Sequence, residues 1–156
     1  MDFRNQTQYP LGIRNNNPGN IRYDGTTWQG LAPSPANCGM CVFTDMKYGV
    51  RTWLMCYHSA ITVHGCNTLA SYIARYAPPN ENNTSNYLTY VSTKTGLAPT
   101  DQLPRDKASL SKLFYAQIAM ENSQKNATAI PQADFDAGLS LFEASVPGWI
   151  SNADSI

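Results

Sequence analysis

Glutamates are scarce in this chain, which makes the candidate acids easy to rank. Of 156 residues only three are glutamate (Glu81, Glu121 and Glu143), beside 14 Asn and 9 Tyr. Glu121 stands out by its place in a helical pattern. Leu110, Leu113, Phe114, Gln117 and Ile118 recur at the spacing of one helix face, and the same spacing brings Glu121 next onto that face. A carboxyl at the end of an apolar stripe is partly withdrawn from water, which disfavours its charged form and raises its pKa. A Glu kept protonated near neutral pH can serve as general acid, the group that protonates the leaving oxygen in glycoside cleavage. The competing reading is structural: Glu121 falls in the last turn, where it can turn to solvent or pair with Lys125.

Glycoside hydrolysis normally employs a second carboxylate, whereas a transglycosylase manages with one Glu. Asp24, Asp45 and Glu81 are the candidates for that second role. Asp24, in Tyr23-Asp24-Gly25, is equally a turn residue. Glu81, in Asn80-Glu81-Asn82-Asn83-Thr84, is equally part of a polar helix entry ordered by side-chain to backbone hydrogen bonds. Neutral sugars are held by amides and by ring faces, and Asn20, Tyr23, Trp28 and Gln29 cluster in sequence where a sugar-facing surface would need them. Against this, Asn15–Asn20 has the composition of a tight turn, Trp28 can belong to a core, and Tyr76 and Tyr87 more often fill cores than bind ligands.

Four cysteines, Cys38, Cys41, Cys56 and Cys66, flank His58 and His64. Their spacing matches no standard zinc ribbon or finger, so the expectation is that no metal or other cofactor is bound. Two disulfides, Cys38–Cys41 or a cross-pairing with Cys56 and Cys66, would suit an oxidising periplasm, and free buried thiols a reducing compartment. A rival chemistry is a cysteine amidase, with Cys41 as nucleophile and His58 or His64 as base, cutting the peptide part of the cell wall. Such thiols usually sit at a helix N-terminus, whereas Cys41 reads as strand.

These groups must be positioned by one domain covering 1–156. Lys and Arg total 11 against 11 Asp and Glu, an electroneutrality that argues against nucleic acid as partner. No apolar run approaches the ~20 residues of a membrane span, and the start, Met1-Asp2-Phe3-Arg4, lacks the basic-then-apolar plan of a secretory signal. Residues 12–45 read as a small β lobe, with Ile21-Arg22-Tyr23, Thr27-Trp28-Gln29 and Cys41-Val42-Phe43 as strands and Pro33-Ser34-Pro35 as punctuation. Residues 46–145 read as a helical lobe. A two-faced apolar helix runs from Asp45 to about Val63. A short helix capped by Asn67 or Thr68 ends before Pro78-Pro79. Another, capped by Thr84, stops at Gly96. The Glu121 helix begins near Pro104 to Asp106 and runs to about Asn122, and a last helix spans roughly Asp134 to Glu143. The fold class is therefore α+β, mostly helical.

Ala116-Gln117-Ile118-Ala119-Met120-Glu121-Asn122-Ser123-Gln124-Lys125-Asn126-Ala127 resembles the catalytic helix end of lysozyme-like glycosidases and lytic transglycosylases. A second resemblance covers residues 12–91. Gly12-Ile13-Arg14-Asn15-Asn16-Asn17-Pro18-Gly19-Asn20-Ile21-Arg22, Trp28-Gln29-Gly30, Tyr48-Gly49-Val50-Arg51 and Arg75-Tyr76-Ala77-Pro78-Pro79-Asn80-Glu81-Asn82-Asn83-Thr84 resemble small phage virion-associated and bacterial antagonism proteins. More loosely, they are similar to the later part of flagellar-type glucosaminidases. In those glucosaminidases the catalytic Glu helix precedes the Asn-rich turn, an order this chain departs from.

The resemblance implies a lysozyme-like, circularly permuted domain acting on peptidoglycan, with Glu121 as acid, Asp24 or Glu81 assisting, and Asn20, Tyr23, Trp28, Gln29, Asn82 and Tyr87 on the substrate. It further implies delivery to the periplasm or cell wall of a target bacterium by a phage or secretion apparatus, with an immunity protein in the producer. A non-enzymatic cell-wall-binding or virion structural module is the other family-level expectation.

Overall fold

The computed structural model describes residues 1–79 and 83–151. Among them the chain forms, in order, α1 (Leu11–Arg14), β1 (Leu31–Asn37), β2 (Met40–Phe43), α2 (Met46–Thr62), α3 (Leu69–Tyr76), α4 (Thr84–Thr95), α5 (Lys107–Asn122), α6 (Gln124–Ala127) and α7 (Gln132–Ser145). This is the mostly helical α+β fold expected, with its small sheet near the N-terminus. No helix among the described residues is long and apolar enough to cross a membrane.

Helices α2 to α5 begin on side-chain caps, each satisfying a backbone N–H that the first turn leaves open, whereas α7 starts after Pro131 without one. Asp45 accepts from Lys47 N, Thr68 from Ser71 N in a reciprocal capping box, and Asp106 from Ser109 N. Before α4 the cap is Asn83, whose side chain accepts from Asn86 N, not the expected Thr84. Thr84 is already the first helical residue, and its hydroxyl donates back to Ala77 O at 2.6 Å.

The β lobe is smaller than the strand reading anticipates. β1 and β2 form one antiparallel hairpin, pairing Ala36 with Cys41 and Asn37 with Met40. Cys38 and Gly39, both at positive φ (51° and 80°), make the tight turn. Pro33-Ser34-Pro35 lies inside β1, not between strands. Each strand of a two-stranded sheet has one open side, and both prolines fall in the stretch between Leu31 and Ala36 where the register shifts and regular pairing is interrupted. Arg22 contributes a single bridge to Met40, and Thr27-Trp28-Gln29 forms no strand.

The core is aromatic and centred on α2. Trp53 stacks on Tyr57 at 5.7 Å and meets Phe114 of α5 edge-on at 5.2 Å, and Phe114 in turn contacts Phe135 of α7. Buried ring nitrogens and hydroxyls need partners. Gln117 supplies them: fully buried on α5, its carbonyl accepts from Trp53 Nε1 at 3.0 Å and from the Tyr72 hydroxyl at 2.6 Å. α7 lies directly against α2 because Gly138 has no side chain; a Cβ there would sit 2.5 Å from Val50.

Candidate functional site

The Asn-rich turn splits into a scaffold and a site. Asn15, Asn16 and Asn17 are buried. Asn17 donates to the carbonyls of Ile21 and Cys41 and accepts from Ile21 N, while Asn16 donates to Phe43 O and to Asp2 and accepts from Phe3 N. The amides thus replace sheet hydrogen bonds in tying the turn to β2 and the N-terminal segment. Asn16 and Asn20 sit at left-handed φ (53° and 52°), which Asn tolerates better than other side chains with a Cβ. α2 presses onto this turn at Gly49, where a Cβ would lie 1.9 Å from Asn16 O.

Asn20, the last of the run, faces α5. Its amide donates to Glu121 Oε1 at 3.1 Å, and the Tyr87 hydroxyl of α4 donates to Oε2 at 2.9 Å. The end of α5 is pinned as well, since the side-chain amide of Asn122 donates to Pro18 O at 2.7 Å. Ser123, at φ 113°, breaks the helix immediately afterwards. Glu121 is therefore neither frayed to solvent nor paired with Lys125. Burial raises the pKa of its carboxyl, and the hydrogen bonds from Tyr87 and Asn20 oppose the shift without cancelling it.

This carboxyl opens into a cleft of about 590 Å³ between the Asn turn, α2 and α3. Asn20, Asp24 and Trp28 line it with Glu121, so four of the residues singled out from sequence meet in one place. Asp24 is exposed, and its carboxyl is held below the usual range by the hydrogen bond from Thr26. Tyr23 and Gln29 are exposed and do not line the cleft, and Tyr87 is buried behind the carboxyl it holds. Asp45 caps α2 instead of entering the cleft. Glu81 and Asn82 lie outside the described residues.

Four further groups in the lining, Arg22, Cys56, Tyr76 and Arg75, are given no place in a cleft by the sequence, although Arg22, Arg75 and Tyr76 stand in its motifs. Tyr76 reads as core, yet its hydroxyl donates to Gly19 O and links α3 to the Asn turn. Arg75 occupies the last turn of α3, just ahead of the Pro78-Pro79 stop, and only the packing of α3 on α2 shows that it shares a cleft with Glu121.

The cysteines form no disulfide; all four are free thiols. Cys38 is at the exposed hairpin tip and Cys41 is buried in β2, where burial raises its thiol pKa and the charge of Asp24 adds to the effect. That is the reverse of what an attacking thiol needs. His58 packs edge-on against Trp149 at 5.0 Å and Phe142 at 5.9 Å, as part of a hydrophobic wall. Cys56 lines the cleft with His64, and burial pushes its thiol up to about 11. No group of three or more His, Cys, Asp or Glu side chains among the described residues is arranged to hold a metal ion.

Fold and site together define a small, mostly helical α+β protein whose cleft is built around one half-buried glutamate. No protein-family model matches the chain. It is 32% identical over 114 residues to Protein P5 of Pseudoalteromonas phage PM2, a match spanning 71% of this chain and 70% of that protein, and it belongs to the same family.

Proposed function

We propose that this chain is a peptidoglycan glycosidase, a lysozyme or lytic transglycosylase, that cleaves the β-1,4 glycan backbone with Glu121 as general acid. The observation that carries the reading is the placing of Glu121: a carboxyl with a raised pKa, held at both oxygens, at the wall of a cleft lined by an amide and an indole. In the reaction the glycosidic C1–O4 bond breaks as Glu121 passes its proton to O4, through an oxocarbenium-like state. Either a water then adds to C1, its proton going to a carboxylate such as Asp24, or the sugar's own C6 hydroxyl adds and returns its proton to Glu121. The first course leaves a reducing end and the second an anhydro end.

Trp28 offers a ring face and Asn20 an amide for neutral sugar, although Asn20 already spends one donor on the carboxyl. The buried, raised-pKa thiol of Cys41 weighs against the amidase reading. A relative encoded by a phage fits a task at the bacterial cell wall, reached by a phage or secretion route and restrained in a producer by an immunity protein. The test is digestion of purified peptidoglycan followed by mass spectrometry of the fragments. The native chain is expected to release new reducing or anhydro ends, and Glu121→Gln to release neither. Persistence of glycan cleavage in Glu121→Gln, or fragments cut only at amide bonds, sinks the reading.

A further inference from the structure

We infer that the cleft selects an anionic saccharide and that Arg75 is the residue that recognises its carboxylate. The inference rests on the glycan reading above and narrows its substrate class: carboxylate-bearing peptidoglycan strands are bound in preference to neutral amino-sugar polymers.

The chain has six arginines, and five are engaged. Arg4 pairs with Asp2, Arg14 donates to Tyr9 O, Arg51 to Ser145 and Arg105 to Trp149 O, and Arg22 also has a partner. Arg75 alone makes no hydrogen bond or ion pair among the described residues, and it is exposed. A cation in the last turn of α3 suits the helix dipole, but the dipole does not require that it line a cleft. The positive charge of Arg75 acts on Cys56, another residue of the lining, whereas Glu121 is held by Asn20 and Tyr87. The guanidinium is thus left free of the acid it accompanies.

Neutral sugars give a guanidinium no partner of opposite charge, whereas a carboxylate matches its planar fork with two parallel hydrogen bonds. Peptidoglycan offers carboxylates from two sources: the lactyl group of its second amino sugar where no peptide is attached, and the peptide where one is.

The test measures binding by titration calorimetry to the full chain and to its Arg75→Gln variant, with three probes. These are an alternating tetrasaccharide with free lactyl acids, its neutral methyl ester, and the same glycan bearing stem peptides. Loss of a charge-assisted pair corresponds to about tenfold in affinity. The native chain is expected to bind at least one of the two acidic probes about tenfold more tightly than the ester, and Arg75→Gln to lose that preference. Preference for the free lactyl acid assigns the lactyl source, and preference for the peptide-bearing glycan alone assigns the peptide. Equal binding of all three probes by the native chain, or a preference that survives in Arg75→Gln, overturns the inference and leaves the glycan reading standing. If no probe binds, the glycan reading fails and this inference with it. Arg75→Lys, which keeps the charge and loses the fork, is expected to fall between the two.

Discussion

Asn20 and Glu121 stand 101 residues apart in the chain, yet the amide of one donates to the carboxyl of the other at 3.1 Å. The contact joins the N-terminal turn to the last turn of α5, and it acts on the charge state of the carboxyl as well as its position. A donor aimed at a carboxylate favours the charged form, so Asn20 and Tyr87 both hold the Glu121 pKa below what burial alone would set. Asn20→Ala and Tyr87→Phe are each expected to raise that pKa further. Carbon-13 titration of the Glu121 carboxyl reads the shift directly. In a pH profile of cell-wall cleavage, the alkaline limb is expected to move to higher pH while the maximum falls. A limb that moves to lower pH, or stays put in both variants, would remove Glu121 as the titrating acid.

The same burial links Glu121 to stability. Unfolded, the carboxyl loses its proton near the ordinary value of about 4.3. Folded, it keeps the proton to higher pH, so the native state binds the extra proton between the two values. Its contribution is complete below the unfolded value and declines as pH rises through the folded one. In the Glu121→Gln variant the new side-chain carbonyl would keep an acceptor for Asn20, and the Tyr87 hydroxyl can turn to accept from the new amide. The variant is therefore expected to be more stable than the native chain near neutral pH, by about 1.4 kcal/mol for each unit of pKa elevation, and to match it near pH ~4. Urea unfolding at the two pH values checks this, and a variant less stable at neutral pH would contradict it.

Neighbouring asparagines of the turn are expected to part company on mutation. Asn17→Ala removes the bonds to Ile21 N, Ile21 O and Cys41 O, of which Ile21 O keeps the backbone N–H of Cys41 as a donor, and Asn17 is fully buried, so a loss of about 2–4 kcal/mol follows from the groups left unsatisfied. Asn20 is only half-buried and its side chain holds Glu121, so Asn20→Gly, which keeps the left-handed φ without strain, is expected to cost no more than about 1 kcal/mol while lowering cleavage strongly. Denaturant midpoints together with cleavage rates separate the two effects. Similar stability losses in both variants would return Asn20 to the scaffold.

That division is only half legible in the sequence. The helical periodicity that brings Glu121 onto an apolar face is local, and so are the cap at Thr68 and the helix starts near Asp45 and Asp106; all are read from spacing within a few residues. The run from Asn15 to Asn20 looks uniform in sequence, and which amides turn inward depends on β2 and α5, contributed from much later in the chain. The strand reading fails for a related reason. Pro33 and Pro35 punctuate most sheets, and they are tolerated here because β1 has a single neighbour. The place of Arg75 depends on the packing of α3, which no local pattern encodes.

Thiol reactivity offers an independent check on which chemistry the cleft supports. Cys38 lies on an exposed turn, whereas Cys41 and Cys66 are buried, and Cys56 lines the cleft with its thiol pushed up to about 11. Only thiolate is alkylated, and against a free thiol near ~8.5 that elevation lowers the thiolate fraction of Cys56 at mildly alkaline pH by roughly 10²-fold. Iodoacetamide followed by peptide mass spectrometry is expected to label Cys38 first, Cys56 about 10²-fold more slowly, and Cys41 and Cys66 only as the fold opens. With Glu121 as the proposed acid no thiol is called for, so Cys41→Ala is expected to retain glycan cleavage, with a stability cost of about 1–2 kcal/mol from the vacated core volume. Rapid labelling of Cys41 in the folded chain, or loss of cell-wall cleavage in a Cys41→Ala protein that still unfolds cooperatively, would revive the cysteine amidase against the glutamate acid.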